Sequence, residues 1–389
     1  MQENLQLLEN SELKERLGRI RPMMAAAGLD AMLIADHADQ YYLTGRVFEG
    51  YVYVGADTIH YFVRRPVELG GEGVIYIRKP EEIPAHIGTL PATLGLEYDL
   101  LPYSQTVRLQ RTFAPVQTAD CNAVLRAARA VKTAREQQMV RRSGIMHARV
   151  YHKIPGLYRE GMTDIELQVE IERISRLEGC LGQFRIGGSA MELFMGNIIC
   201  GDNADAPSPY DFAMGGAGQD PSLPVGADGT DIHAGQTVMV DMNGNFTGYM
   251  TDMTRVYAPG DVPPLAAKAH ACSLRIHREL CDMARPGTEA KALYERAIAI
   301  VTEEGLKEYF MGHRQKAGFV GHGVGIEINE LPVIAPRSRD ILAVGNVIAL
   351  EPKFVIPHVG AVGIENTYII GEHGTECVTV FPEEIISLI

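Results

Sequence analysis

This 389-residue chain is short of positive charge: 36 Lys and Arg against 49 Asp and Glu leave a formal net charge of −13. Nucleic-acid affinity comes mainly from clustered Lys and Arg, so a nucleic-acid partner is excluded as a reading. Cysteine is sparse. Cys121, Cys180, Cys200, Cys272, Cys281 and Cys377 form no CxxC pair, and their spacing suits neither a disulfide ladder nor a zinc ribbon. Small buried thiols in a reducing compartment are expected. No apolar run reaches the ~18 to 20 residues that span a bilayer. The opening MQENLQLLENSELKERLGRIRP has neither the basic start nor the apolar core of a signal peptide. A cytoplasmic protein with no membrane partner is therefore expected. Several catalytic signatures are missing too. There is no HExxH, GHGVG lacks the full GxGxxG spacing, and GGSAM lacks the last glycine of a GxSxG elbow.

What is present is ordinary globular material, 46% hydrophobic and 22% charged, in a length that predicts roughly two domains. Residues 11 to 28 carry apolar positions at helical spacing, with Gly28 as the stop. LDAMLIAD, YVYVGADTIHYF and GVIYIR read as strands. The first ~130 residues thus form a small α/β domain, with no catalytic cluster in it. A boundary falls near Val131. Thr133-Ala-Arg-Glu136 and Thr163-Asp-Ile-Glu166 are capping boxes, each opening a helix. After residue 132 the order of elements repeats: two helices and an acid-bearing hairpin, then helices at 263–284 and up to about 304, and a second acid-bearing hairpin. Two similar halves closing around a shared centre are expected.

The hairpins carry the chemistry. TVMVDMNGNFTGYMTDMTRVY (237–257) alternates apolar and polar residues on both sides of Asn-Gly-Asn. If it turns near Phe246 and Thr247, Asp241 and Asp252 lie on one face, nearly opposite each other. In NVIALEPKFVIPHVGAVGIENTYII (346–370), Glu351 and Glu365 are centred on His358 and can also face each other. Opposed like charges destabilise a sheet. Buried carboxylates are costly unless they are protonated or share a cation. A divalent metal resolves both problems, and four carboxylates with His322, from GHGVGIEINELP (321–332), could hold two hard or borderline cations. Solvated edge residues are the competing reading, and it is weaker for two matched pairs than for one.

VMVDMNGNFTGYMTDMTRVY, GHGVGIEINELP, ALEP and VGIENTYII, in that order, resemble the catalytic motifs of the pita-bread metallopeptidase family: aminopeptidase P, prolidase, methionine aminopeptidase and the metal-free creatinase. AGLDAMLIADHADQYYLTG resembles the small N-terminal domain of the prolidase and creatinase branch. The resemblance implies an α+β protein, with a creatinase-like α/β domain at 1–131 and a pita-bread catalytic domain at 132–389. It implies Asp241, Asp252, His322, Glu351 and Glu365 as ligands of two divalent ions, manganese first, with cobalt, iron or zinc also suited. It also implies an oxygen between the metals as nucleophile, Glu351 as proton acceptor, a small peptide or amide substrate, and a homodimer.

Three positions depart from the family pattern. Ser208, in GDNADAPSPY, stands where a histidine ends the loop before the first hairpin. Asn329 stands where the second histidine of the glycine-rich motif belongs. Gly363 stands where an arginine often precedes the last Glu by two residues. Asn cannot relay a proton near neutral pH, though it can steady a developing oxyanion; Ser208 reaches less far; and without the arginine a bidentate carboxylate clamp is lost. A working Xaa-Pro peptidase, a creatinase-like enzyme of a non-peptide amide, and a binding protein that has lost catalysis all follow as readings to separate.

Overall fold

The computed structural model describes residues 3–182, 184–188, 194–210 and 214–388. Ser189 to Met191 of GGSAM lie outside them, as do Phe212 and Ala213. The chain divides into two compact units, Met1–Arg129 and Ala130–Ile389.

In the first unit a six-stranded sheet runs Val74–Tyr76, Ile59–Arg65, Glu49–Gly55, Ala31–Ile34, Thr93–Leu96, Gln117–Asp120. The run AMLI is buried at every position, because it is flanked by an antiparallel strand on one side and a parallel strand on the other. The helix Asn10–Ala26 turns Leu17, Ile20 and Met24 inward, at the spacing the sequence carries.

The second unit opens with the two capping boxes. Thr133 Oγ1 accepts from the Glu136 amide at 3.2 Å while Glu136 Oε2 accepts from the Thr133 amide at 2.8 Å, and Thr163 and Glu166 repeat the exchange. They start the helices Ala134–Tyr151 and Asp164–Leu177. Helices Pro264–Met283 and Ala290–Glu303 form the corresponding pair in the other half. Ile276, Leu280, Leu293 and Ile300 from this second pair pack with Phe354 and Val362 in one core. One sheet holds Gly196–Cys200, Val238–Asn243, Asp252–Ala258 and Ile386–Ser387. A second holds Glu330–Ile334, Gly321–Gly323, Val347–Leu350, Asn366–Ile370 and Thr375–Cys377. All six cysteines are free thiols. Among the described residues, no helix is long and apolar enough to cross a membrane.

The register of the first hairpin differs from the expectation. Asp241 pairs with Thr254, and Asp252 pairs with Asn243, so the two acids are diagonal neighbours on one face and not direct partners. The chain pivots between Thr247 and Gly248, one residue later than the sequence suggested. The reason is local: Asn245 Oδ1 accepts from the Gly248 amide at 3.0 Å, and Gly248 takes a φ of 87°, in the left-handed region. In the second hairpin Leu350 pairs with Asn366 and Lys353 with Gly363, which leaves Glu351 facing Glu365 where the two ladders break.

Candidate metal centre

His322 enters from the middle of the short strand Gly321–Gly323, whose partners are Val347–Leu350 and Glu330–Ile334. The loop after it is pinned from below. Glu330 Oε1 accepts from the amides of Ile326 and Glu327, and its other oxygen meets Lys132 Nζ at 2.8 Å. His322 Nδ1 donates to the Gly323 carbonyl at 3.1 Å, which fixes the tautomer and turns Nε2 toward the acids. Nε2 lies 3.3 Å from Glu351 Oε1 and 3.8 Å from both Asp252 Oδ2 and Glu365 Oε1.

The fifth sequence candidate, Asp241, joins this group through a residue the sequence reading did not single out. Lys353 is fully buried. Its Nζ is 2.8 Å from Asp241 Oδ2, 2.9 Å from Glu351 Oε2 and 2.9 Å from Glu365 Oε2. A signal was available in the sequence: Lys353 is two residues from Glu351, and residues two apart in a strand share a face.

Three buried carboxylates, the half-buried Asp241 and one ammonium leave excess negative charge. Burial first, then Asp241, pushes the Asp252 carboxyl up to about 8. Burial, then Asp252 and Glu351, holds Glu365 well above the usual carboxylate range. Burial would also raise Glu351, but Lys353 and His322 outweigh it and bring it down to about 2. Burial opposes the charge on His322; its hydrogen bond with Glu351 and the charges of Glu351 and Asp252 prevail, and the imidazole rises to about 9. A site that attracts protons this strongly is built for a cation. Among the described residues Glu365 Oε1 is buried and has no hydrogen-bond partner, and Asp252, His322 and Glu365 each offer one ligand atom within a single small cluster. One divalent ion fits this donor set of imidazole and carboxylate oxygen.

Surrounding residues hold the acids in place. Thr254 Oγ1 donates to Glu365 Oε2 at 2.9 Å, and the backbones of Thr254 and Glu365 bond each other. Thr367 Oγ1 donates to the Asp252 carbonyl and accepts from its amide, both at 2.8 Å. The buried Arg255 guanidinium donates to the carbonyls of Thr254, Glu365, Phe381 and Pro382 and to Asn366 Oδ1, so it sets backbone, not a ligand carboxylate.

The three departures lie as follows. Asn329 Oδ1 accepts from the Gly187 amide at 2.7 Å, and Nδ2 donates to the Gly187 carbonyl at 2.8 Å. Most of this amide is thus committed to holding the segment at 184–188. Ser208 Oγ donates to the Pro224 carbonyl at 3.3 Å and accepts from the Tyr210 amide, while Gln315 clasps its backbone. These contacts hold one loop to another, not to the acids. Gly363 has a φ of 116°, and a Cβ there would sit 2.6 Å from the Pro352 carbonyl oxygen and 3.0 Å from Lys353 Cα, so an arginine cannot be accommodated without moving backbone. His358, at the hairpin turn, is exposed and pairs with Asp202, and His313 pairs with Asp205.

Two histidines behind the site carry a pH prediction. His147 Nδ1 and Thr251 Oγ1 share a hydrogen bond at 3.1 Å, and His277 donates from Nε2 to the Ile364 carbonyl at 2.9 Å. Burial pushes both down to about 3, so both are neutral in the fold. The unfolded chain takes up protons as pH drops through ~6.5, so their contribution is complete above that pH and is lost on acidification toward about 3. Each should remove about 2 kcal/mol of stability by pH 5. Urea unfolding at pH 7.5 and pH 5 should show His277→Gln losing visibly less between the two than the wild type. Equal losses would remove His277 from the account.

Two family models match: Metallopeptidase family M24 over residues 138–372 and the Creatinase/Prolidase N-terminal domain over 16–131. The Xaa-Pro dipeptidase of Pyrococcus furiosus is 26% identical over 382 residues, covering 96% of this chain and all of the relative. A probable dipeptidase of Mycobacterium tuberculosis is 28% identical over 273 residues, 70% of this chain and 64% of the relative. Among solved structures, the prolidase of Pyrococcus horikoshii matches with a TM-score of 0.79 at 24% identity over 96% of this chain and all of that one. The Xaa-Pro dipeptidase of Bacillus anthracis matches with 0.80 at 22% over 96% and 99%. At those identities the structures establish the shared two-domain pita-bread fold.

Proposed function

The chain belongs to metallopeptidase family M24, in its aminopeptidase P and prolidase branch, and on that premise we propose that it is a metal-dependent exopeptidase cleaving the Xaa-Pro bond of small peptides. The observation that carries the reading is the convergence of His322 Nε2 with Asp252, Glu351 and Glu365 at 3.3 to 3.8 Å inside that fold. The creatinase-like and non-catalytic readings have no comparable support. Bound there, a divalent ion would polarise the scissile carbonyl and make water acidic enough to attack near neutral pH.

The chain's own residues divide the remaining work. Glu351, whose Oε1 faces His322 while Lys353 holds Oε2, is the carboxylate assigned to accept the proton released on attack. Asn329 positions the segment at 184–188, and its uncommitted amide hydrogen is the group left for a substrate oxygen. Ser208 shapes the neighbouring loop. Manganese as the ion, a homodimer and a cytoplasmic location belong to the same proposal.

The test is a panel of Xaa-Pro dipeptides, longer Xaa-Pro peptides and matched Xaa-Ala controls, assayed with added Mn²⁺ and again after chelation. Cleavage at proline that depends on the ion is expected, and the preferred length separates dipeptidase from aminopeptidase. Inertness toward every Xaa-Pro substrate, with an ion demonstrably bound, would overturn the assignment.

A further inference from the structure

The acids of the site fall into two groups. One surrounds Lys353. An ammonium has three hydrogens, and here each meets a different carboxylate: Asp241 Oδ2 at 2.8 Å, Glu351 Oε2 at 2.9 Å and Glu365 Oε2 at 2.9 Å. The lysine is fully buried, and its backbone is fixed in the strand Lys353–Ile356 opposite Gly363. A metal bound by these same oxygens would sit about 2.0 to 2.2 Å from each. The ammonium nitrogen lies in that space, so the two cannot be present together.

The other group is His322 Nε2 with one oxygen each of Asp252 and Glu365, and Glu351 Oε1 lies beside it against the same nitrogen. Its nitrogen-to-oxygen separations of 3.3 and 3.8 Å bracket the ~3.4 Å between donors arranged tetrahedrally about one ion at ~2.1 Å. Glu351 and Glu365 each turn one oxygen to the lysine and the other to this second group. Glu365 Oε1 is the buried oxygen that no described residue satisfies.

We propose that Lys353 is a resident cation standing in for one of the two metal ions of the centre, so that the chain binds a single divalent ion on Asp252, His322, Glu351 and Glu365. Asp241 then anchors the lysine instead of ligating a metal. The inference rests on reading the cluster as a metal centre, and it is independent of which bond the enzyme cleaves.

The test counts ions. Protein stripped with a chelator is reloaded with excess MnCl₂, freed of unbound metal and measured by inductively coupled plasma mass spectrometry and by electron paramagnetic resonance. Wild type should retain one Mn²⁺ per chain, with the spectrum of an isolated ion. Lys353→Ala, which clears the space and leaves Asp241 free, should take up a second and show exchange coupling between the two. Two ions per wild-type chain, or none, would overturn the proposal, as would a folded Lys353→Ala that gains no second ion. If that variant does not fold, the wild-type count decides alone. No peptide enters the measurement, so a failed Xaa-Pro assay and a failed ion count are distinguishable.

Discussion

Asp252→Asn should lower kcat on any Xaa-Pro substrate by on the order of 10³-fold while the protein remains folded. Asp252 begins its strand with both backbone groups held by Thr367, so an amide of the same shape enters without disturbing the ladder. Its carboxyl is buried, and burial with Asp241 pushes it up to about 8. An amide is neutral without taking up a proton, so the variant is spared the cost of holding this acid protonated in the metal-free fold. The variant should therefore melt at or above metal-free wild type even as it loses its ion and its activity, a trade between stability and function expected where acids are crowded for chemistry. Metal content, kcat and Tm read together decide the matter. Activity within tenfold of wild type would remove Asp252 from the ligand set.

The second large effect falls on stability. Arg255→Ala should cost about 4 kcal/mol, because it strips the carbonyls of Phe381 and Pro382 of their donor, leaves that of Glu365 with the Thr254 amide alone, and empties a fully buried site. For a unit of this size that lowers Tm by about 10 °C. With the Glu365 backbone loosened, metal affinity should fall about 10- to 100-fold. Arg255→Lys should restore little, since an ammonium cannot reproduce a guanidinium fork that reaches several carbonyls at once. A Tm within 2–3 °C of wild type in Arg255→Ala would show that these carbonyls find other donors.

Much of this was legible from the sequence because the signals were local. Thr133 with Glu136 and Thr163 with Glu166 mark helix starts by chemistry that four residues complete among themselves. The acids of the two hairpins stand out because alternating apolar residues surround them. Register was less legible. The pivot of the first hairpin depends on the Asn245 side chain capturing the Gly248 amide, and Asn-Gly-Asn permits more than one turn. Lys353 escaped notice for a different reason. A single lysine at the head of an apolar strand reads as a solvated end, and only the folding of Asp241 and Glu365 toward it reveals a buried cation. Asn329 and Ser208 stand out in their motifs, but their partners, Gly187 and Pro224, lie elsewhere in sequence, and no periodicity points to them.

Arg255 also joins the site to residues synthesised late. Its guanidinium reaches the carbonyls of Thr379, Phe381 and Pro382, Asn366 donates to Glu383, and the strand Ile386–Ser387 pairs with Tyr257 and Ala258. A nascent chain that has exposed Glu365 but not yet residues 379–387 has every acid of the centre but lacks the carbonyls on which the Arg255 guanidinium closes. Ion capture on the ribosome should therefore be late and abrupt, so that a partly made chain cannot hydrolyse anything or sequester metal before it is complete through that strand.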